Sequence, residues 1–90
     1  MLLALYDVNN LKYVNDTYGH QSGDEMIRRV ADTLLAHLGS LGKCYRIGGD
    51  EFVFLSTAAN SEKEFLRLQR DFEASLGVLK LPDGSGIPLL

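Results

Sequence analysis

The stretch K-C-Y-R-I-G-G-D-E-F-V-F-L-S, residues 43–56, decides the fold that the sequence predicts. Two apolar runs of strand length, residues 43–47 and 51–56, flank a pair of glycines. A tight two-residue hairpin needs positive φ angles, which glycine adopts without penalty, so we expect Gly48 and Gly49 to join the runs as antiparallel strands. Two acids follow the glycines directly, and the hairpin therefore sets charge beside flexible backbone.

A strand and a short helix are predicted ahead of this hairpin. Residues 2–6 form an apolar run of strand length, which is typical of a strand buried on both faces. Apolar residues then recur at helical spacing, with Asn9 or Asn10 as a possible N-cap and Gly19 as the stop. The chain therefore opens as strand and then helix.

Two amphipathic helices are predicted from apolar stripes that begin at S-x-x-E capping boxes, in which the serine and the glutamate satisfy each other's backbone donors. The two boxes are Ser22 with Glu25 and Ser61 with Glu64. The first helix is expected to end near His37 and the second near Gly77. The last twelve residues predict a turn centred on Pro82, Asp83 and Gly84, which leads into a strand that the end of the chain cuts short.

Composition excludes one class of partner and predicts a compartment. The 90 residues carry a net charge of −3, with lysine and arginine scattered along the chain, so no basic patch is available for a nucleic-acid polymer. The single cysteine, Cys44, excludes an internal disulfide and suits packing in the core of a protein from a reducing compartment. The apolar run at the start is too short to span a membrane and lacks the features of a signal peptide. We therefore predict a cytoplasmic segment without membrane contact, although a longer parent protein could be anchored.

Topology predicts that two distant acids meet. If the first strand and the strand at residues 43–47 share a sheet and are joined through helices, they are most simply parallel, with a right-handed crossover. Their C-terminal ends then lie at one edge of the sheet. Asp7 closes the first strand and Asp50 follows the second, so we expect both carboxylates to face one crevice.

Two neighbouring carboxylates beside glycines favour a metal and phosphate site. At about 4 to 5 Å they repel by roughly 3 to 4 kcal/mol at an effective dielectric near 20, and a divalent cation reverses that sign. Mg²⁺ prefers hard oxygen ligands and is commonly held by one or two carboxylates plus substrate phosphates. Gly48 and Gly49 lack the Cβ atoms that would keep a phosphate chain away from the backbone.

Each candidate residue also has a plain structural explanation. The sequence G-G-D-E can be a solvated hairpin turn, and Asp7 can be an exposed strand end. Asp24 would lie in the first turn of the long helix, where the helix dipole favours a carboxylate without any ligand. The remaining polar candidates can be ordinary surface or turn residues: Lys12, Asn15, Asp16, His20 and Arg46. Spacing alone leaves both interpretations open.

The joint pattern separates the two interpretations. The stretch D-V-N-N-L-K-Y-V-N-D-T-Y-G-H-Q-S-G-D, residues 7–24, is followed after a helix by R-I-G-G-D-E-F, residues 46–52. In order and separation these motifs closely resemble the GGDEF family of diguanylate cyclases, which condense two GTP molecules into cyclic di-GMP. The resemblance implies a single, partial GGDEF domain over residues 1–90. It also implies an α+β fold, ferredoxin-like and related to nucleotide cyclases, with a βααββα core and a mixed, largely antiparallel sheet that is incomplete at its C-terminus.

The resemblance assigns the metal and catalytic roles. Asp7 and the main-chain carbonyl of Val8 look like metal ligands. Asp50 is similar to the family's acid that binds metal and activates the attacking 3′-hydroxyl, and Glu51 stands beside it as a further carboxylate of the metal site. The implied cofactor is Mg²⁺, or Mn²⁺ in its place.

Substrate-binding roles follow from the same resemblance. Asn15 and Asp24 match the residues that hydrogen-bond the guanine base. A carboxylate that accepts from the N–H and amino groups of guanine would be left unpaired by adenine, which makes guanine selection chemically sensible. Gly48 and Gly49 would lie under the phosphates, and Lys12 matches a family lysine to which no certain role is given.

Departures from the family pattern limit these expectations. The R-x-x-D motif of the product-inhibition site is replaced by G-S-L-G at residues 39–42, so inhibition through that site should be absent. Family members continue past the equivalent of Leu90 through elements that supply a lysine and an arginine to the triphosphate. We therefore expect a truncated domain that binds GTP weakly, and whether it turns GTP over by itself is left open.

Partners and alternatives follow from the half-site chemistry. Because each domain holds one GTP, catalysis implies a homodimer, and sensor or effector domains are expected in a longer parent. An alternative is a non-catalytic, GGDEF-like regulatory module that binds GTP and signals to an attached domain. A third is a structural dimerisation piece that pairs through the open edge of the first strand.

Overall fold

The chain begins with a strand, which two helices and a two-stranded hairpin follow. A third helix then leads into a second hairpin. The computed structural model describes residues 1–57, 62–81 and 83–89. In chain order the elements are β1 (Leu2–Asp7), α1 (Leu11–Tyr18), α2 (His20–Leu38), β2 (Lys43–Arg46), β3 (Glu51–Ser56), α3 (Glu62–Leu76), β4 (Val78–Lys80) and β5 (Gly86–Pro88). The first six follow the predicted βααββα order.

The main sheet has three strands with β3 at its centre. The order is β1-β3-β2, and β3 pairs antiparallel with both neighbours. Consequently β1 and β2 run in the same direction, as predicted, but β3 lies between them. All three ladders among the described residues, including that of β4 with β5, are antiparallel, so the α+β class is confirmed without a directly paired parallel strand.

Only one face of this sheet is covered by the described helices. Tyr6, Phe52 and Phe54 are buried on the helix side, whereas Leu3 and Leu5 are 61% and 66% exposed on the other side. The prediction that the first strand is buried on both faces is therefore wrong. Its continuous apolar run is typical of burial on both faces. The side chains of a strand alternate between the two faces of the sheet, however, and α2 and α3 cover only one of those faces.

Aromatic contacts join that face to α3. The ring of Tyr6 meets Phe72 edge to face at a centroid distance of 5.5 Å, and Phe54 stacks on Phe65 at 5.5 Å. The Tyr6 hydroxyl donates to Oε1 of Gln69 at 2.8 Å. Burial raises the pKa of Tyr6 to about 12, and Glu73 adds to the shift. The hydroxyl is thus satisfied inside an otherwise apolar interface, as a buried tyrosine requires.

The start of α2 differs from the prediction. The helix begins at His20, and Gly19, at φ 95°, both ends α1 and precedes α2. Ser22 and Glu25 therefore lie inside the helix and form no capping box. The pattern misled because the left-handed glycine already supplies the break between the helices. For α3 the predicted stop is confirmed, since Gly77 follows it at φ 59°, whereas Ser61 lies outside the described residues.

The first hairpin also differs in detail. The ladder pairs Arg46 with Phe52, and the N–H of Ile47 donates to the carbonyl of Glu51 at 3.0 Å. Three residues, 48–50, therefore form the loop. Neither Gly48 nor Gly49 has a positive φ, so the predicted two-residue turn with left-handed glycines is wrong, because the third loop residue relaxes the tight geometry that such a turn imposes.

A second hairpin closes the described chain. Strands β4 and β5 pair antiparallel, and β4 was missed because three residues give too short a pattern. Gly84, at φ 88°, donates its N–H to the carbonyl of Leu81 in the predicted turn, of which Pro82 lies outside the described residues. The Tyr18 hydroxyl donates to Oδ2 of Asp83 at 2.7 Å, which ties this turn to the end of α1.

The Asp83 carboxylate makes the turn sensitive to acid. Hydrogen bonds from the Ser85 hydroxyl, from Tyr18 and from the Ser85 N–H lower the pKa of Asp83 to about 2. A carboxylate whose folded pKa is depressed stabilises the folded state above its unfolded pKa of about 4, and this contribution is lost as pH falls through about 2.

Ser85→Ala is therefore expected to flatten the loss of stability between about pH 5 and pH 2, because it removes the largest cause of the pKa shift. Urea unfolding at both pH values measures the slope. Ser75→Ala, an exposed change on α3, is the matched control and should leave the slope unchanged. An identical slope in Ser85→Ala and in the unmodified chain would contradict the assignment.

No helix within the described ranges combines the length and apolar character needed to cross a bilayer.

Candidate functional site

The predicted acids lie at one edge of the main sheet. Asp7, the last residue of β1, stands directly opposite Glu51, the first residue of β3. One residue further on, the N–H of Val8 donates to the carbonyl of Asp50 at 2.7 Å. The backbone therefore brings Asp7, Asp50 and Glu51 to neighbouring positions, and the direct cross-strand partner of Asp7 is Glu51 rather than Asp50.

The Asp7–Glu51 pair is electrostatically unfavourable. Residues directly opposite in an antiparallel ladder point to the same face with their Cβ atoms about 4.5 to 5.5 Å apart, and like charges there destabilise the pairing. Both side chains are exposed. The guanidinium of the nearby Arg46 does not bridge them, because it donates to the carbonyls of Gly48 and Gly49 instead. Strand pairing by itself gives no reason for two acids at this position.

The donor set at this edge suits a hard divalent cation. Carboxylate oxygens of Asp7, Asp50 and Glu51 and the carbonyl of Val8 are the ligand type that Mg²⁺ prefers. Among the described residues, no three His, Cys, Asp or Glu side chains form a ready-made metal cluster. The set therefore fits the kind of magnesium site that uses one or two carboxylates and is completed by substrate phosphates and water, and it does not fit an all-protein cage.

The glycine loop beside the acids has no need of glycine for its own fold. A Cβ on Gly49 would meet nothing within 4 Å, and a Cβ on Gly48 would meet only the Glu51 side chain, at an ordinary 3.6 Å. The loop is held instead by Arg46, whose Nε and Nη2 donate to the Gly48 and Gly49 carbonyls at 3.1 and 2.7 Å. The missing side chains leave open backbone beside Asp50.

A shallow cleft connects this loop to the first helices. Its volume is about 230 Å³, and it is lined by Leu11, Lys12, Asn15, Asp16, His20, Gly49 and Asp50. The structure thus brings four predicted site residues together, two from the hairpin loop and two from α1. Asp16 and His20, which the sequence patterns left as surface residues, also line the cleft. The only sequence feature that could have indicated this position is that both residues lie within the motif at residues 7–24.

The start of α1 opens toward this cleft with uncapped backbone donors. Asn10 precedes the helix at φ 69°, and its side chain makes no capping hydrogen bond. The first helical bond runs from the N–H of Val14 to the carbonyl of Asn10 at 2.9 Å. The N–H groups before it have no helical partner, and such groups at a helix N-terminus attract anions. Leu11 and Lys12 of this first turn line the cleft.

Asp24 occupies a different place. It is exposed on α2 and lines a wider depression of about 660 Å³ on the outer face of that helix, together with Gln21, Glu25 and Arg28. Since α2 begins at His20, Asp24 lies beyond the first turn, and the helix dipole does not explain it. Asn15 packs against Gly23, the residue before Asp24. Asn15 therefore lies beside the segment of α2 that carries Asp24, although the two side chains line separate depressions.

Comparison with known proteins identifies the fold. Residues 1–84 match the family model described as "Diguanylate cyclase, GGDEF domain". The chain belongs to the GGDEF family. This GGDEF domain is 37% identical over 84 residues to the diguanylate cyclase DosC of Escherichia coli K12, a match that covers 93% of the chain and 18% of DosC. It is 38% identical over 80 residues to the diguanylate cyclase DgcN of the same organism, covering 89% of the chain and 19% of DgcN.

Solved GGDEF domains share the architecture. The GGDEF domain of YfiN from Pseudomonas aeruginosa superposes with a TM-score of 0.78 at 30% identity, over 96% of this chain and 51% of the other. The GGDEF domain of DgcB from Caulobacter crescentus, solved in complex with c-di-GMP, gives a TM-score of 0.73 at 28% identity, over 93% of this chain and 50% of that one. The predicted family and α+β fold are thereby confirmed. The chain spans about half of these solved domains and about a fifth of the curated relatives.

Proposed function

We propose that this GGDEF domain is part of a diguanylate cyclase, which condenses two GTP molecules into cyclic di-GMP and pyrophosphate. One observation carries the proposal: the like-charged pair Asp7–Glu51, linked through the Val8–Asp50 backbone bond to a cleft that Lys12 and Asn15 line. An unfavourable pair of acids, one residue along the chain from a cleft that has the ammonium of Lys12 and uncapped N–H groups, suits a metal-bound triphosphate. The similarity to DosC and DgcN, both of which are diguanylate cyclases, supports the same assignment.

The substrate is bound by three groups of atoms in this proposal. Asn15 and Asp24 hydrogen-bond the guanine. The uncapped N–H groups at the start of α1 and the ammonium of Lys12 attract the phosphates, and the open backbone of Gly48 and Gly49 lets them approach. The base and the triphosphate are then fixed at two separated points, which orients the α-phosphate.

Asp7, Glu51, Asp50 and the Val8 carbonyl would hold the magnesium ion. When bound, magnesium or manganese supplies charge neutralisation on the phosphates. Asp50 takes the proton of the attacking 3′-hydroxyl as general base; its side chain is exposed and lines the cleft, so a bound nucleotide can reach it.

The reaction needs two copies of the domain. Each copy binds one GTP, and the 3′-hydroxyl of one nucleotide must reach the α-phosphate of the other. We therefore propose that two copies meet face to face, at least during turnover, and that sensor or effector domains in a longer protein control this meeting. The half-buried free thiol of Cys44 is compatible with the reducing cytoplasm, in which GTP is available.

Incubation with GTP and Mg²⁺, followed by chromatography for cyclic di-GMP, tests the proposal. The chain and a version extended past Leu90 are compared, and product is expected from at least the extended version. Metal-dependent GTP binding without product from either version would favour the regulatory module instead. No GTP binding by either version would overturn both nucleotide functions and leave the dimerisation piece.

A further inference from the structure

Gly23 is an unusual residue for its place in the fold. It is the fourth residue of α2, which begins at His20, and it is buried. Glycine is the weakest helix former apart from proline, so a glycine in a helix interior needs a packing reason. The backbone of Gly23 does not supply one, because its φ is not positive.

The packing reason is the side chain of Asn15. A Cβ placed on Gly23 would lie 1.7 Å from Oδ1 and 2.7 Å from Cγ of Asn15, well inside the 3.0 Å that real Cβ contacts respect. The Asn15 amide therefore occupies the volume that any other residue at position 23 would fill. The N–H of Gly19 closes the last turn of α1 by donating to the carbonyl of Asn15 at 3.0 Å, and the chain turns into α2 at this glycine, whose φ is 95°.

Hydrogen bonds do not hold the Asn15 amide in place. Across the described ranges, the side-chain bonds join other residues, and Asn15 takes part only through its main-chain carbonyl. Its side chain is half-buried and lines the cleft that contains Asp50. Contact with Gly23 is thus what restricts the rotamer of an amide that lines the cleft and that no side-chain hydrogen bond fixes.

We propose that Gly23 is a positioning residue for nucleotide selection: its missing Cβ forms a seat for the Asn15 amide. The seat adjoins Asp24 in sequence, so one short segment of α2 carries the carboxylate and fixes the amide. The inference rests on the proposed function, in which Asn15 and Asp24 bind guanine. It adds a residue that never touches the nucleotide.

Gly23→Ala separates positioning from folding. The atoms that the new Cβ displaces belong to the far end of a flexible side chain, so Asn15 rotates out of its seat while α2 stays in place. Alanine also favours the helix, so the fold should persist. GTP affinity should fall by about tenfold, as expected when one hydrogen bond to a desolvated group is lost, whereas ATP affinity should not change. A general loss of structure would lower both.

Calorimetric titration of GTP and of ATP, with Mg²⁺ present, measures the ratio of GTP affinity to ATP affinity. The titration is done on Gly23→Ala, on Asn15→Ala and on the double variant. The double variant should bind GTP no more weakly than Asn15→Ala, since the seat matters only when the amide is present. Ser22→Ala, a half-buried neighbour on α2, is the control and should keep the ratio. If Asn15→Ala weakens GTP binding and Gly23→Ala does not, the seat is refuted while the guanine role survives.

Thermal unfolding without nucleotide tests the seat independently of GTP. In the Asn15→Ala background, Gly23→Ala should raise the melting temperature, because alanine replaces glycine and nothing is displaced. In the unmodified background the rise should be smaller or reversed. Equal changes in both backgrounds would overturn the inference. A GTP-to-ATP ratio that Asn15→Ala leaves unchanged would instead refute the guanine role, and the melting temperatures would still decide whether Asn15 occupies the seat.

Discussion

Asp50→Ala is expected to abolish cyclic di-GMP formation, lowering the rate at saturating GTP and Mg²⁺ by at least about a hundredfold, the usual effect of losing a general base. The fold should persist. The Asp50 side chain is exposed, and the group that Val8 needs is the main-chain carbonyl, which alanine retains. Initial rates measured by chromatography on the active version of the chain, together with a urea unfolding curve, separate the two effects.

The matched control is Asp71→Ala, an exposed carboxylate on α3 outside the cleft. It removes the same charge from the chain and should leave the rate unchanged. Turnover by Asp50→Ala at the control rate would refute the role of Asp50. Loss of turnover in both variants would mean that net charge, rather than the placed carboxylate, matters.

Phe72→Ala is expected to destabilise the fold by about 3 to 5 kcal/mol, the cost of removing a fully buried aromatic ring. Phe72 is completely buried in α3, where its ring contacts Tyr6 of β1 and His37 of α2. It is therefore a point at which the sheet and two helices meet. Since folded domains are stable by only about 5 to 15 kcal/mol, the loss would be a large part of the free energy of unfolding. Urea unfolding followed by circular dichroism measures the change.

Leu66→Ala provides the comparison on the same helix. Leu66 is 60% exposed, and truncation of an exposed side chain usually changes stability by no more than about 0.5 kcal/mol. A similar loss in both variants would contradict the packing described for α3. A loss confined to Phe72→Ala would support it.

Local patterns in the sequence predicted most of the fold. The apolar stripe of α2 identified a helix because its period is long and regular, and the hairpin of β2 and β3 followed from two strand-like runs around glycines. The capping box at Ser22 failed because the helix already has its N-cap at Gly19, three residues earlier. When two residues could each begin a helix, backbone geometry decides between them, and a sequence pattern does not contain that geometry.

The burial of β1 shows a second limit. Its continuous apolar run predicts burial on both sides, yet Leu3 and Leu5 remain exposed beside a buried Tyr6. Which face of a strand is covered depends on where distant helices pack, and that is a tertiary property. The same limit applies to Gly48 and Gly49, whose predicted left-handed turn was replaced by a three-residue loop held by Arg46.

For the candidate site, the sequence predicted that the acids share one edge of the sheet, but it did not predict which residues stand opposite each other there. Parallel directions of β1 and β2 were enough to bring Asp7 and Asp50 to the same end of the sheet. The central position of β3 decides that Glu51 is the residue opposite Asp7. Strand order is set by the whole fold, so no local spacing could reveal it. The seat of Asn15 on Gly23 likewise depends on how α1 and α2 cross.

The proposed function requires that the acids at the end of β1 and the start of β3 bind a cation that arrives with the triphosphate. Calorimetric titration of GTP, first with Mg²⁺ and then with EDTA, tests this directly in the unmodified chain and in Asp7→Asn. Binding is expected only for the unmodified chain with Mg²⁺ present. Equal GTP affinity in EDTA would contradict the claim, because the ion would then not contribute to binding. Equal affinity in Asp7→Asn would also contradict it, because the Asp7 carboxylate would then not contribute.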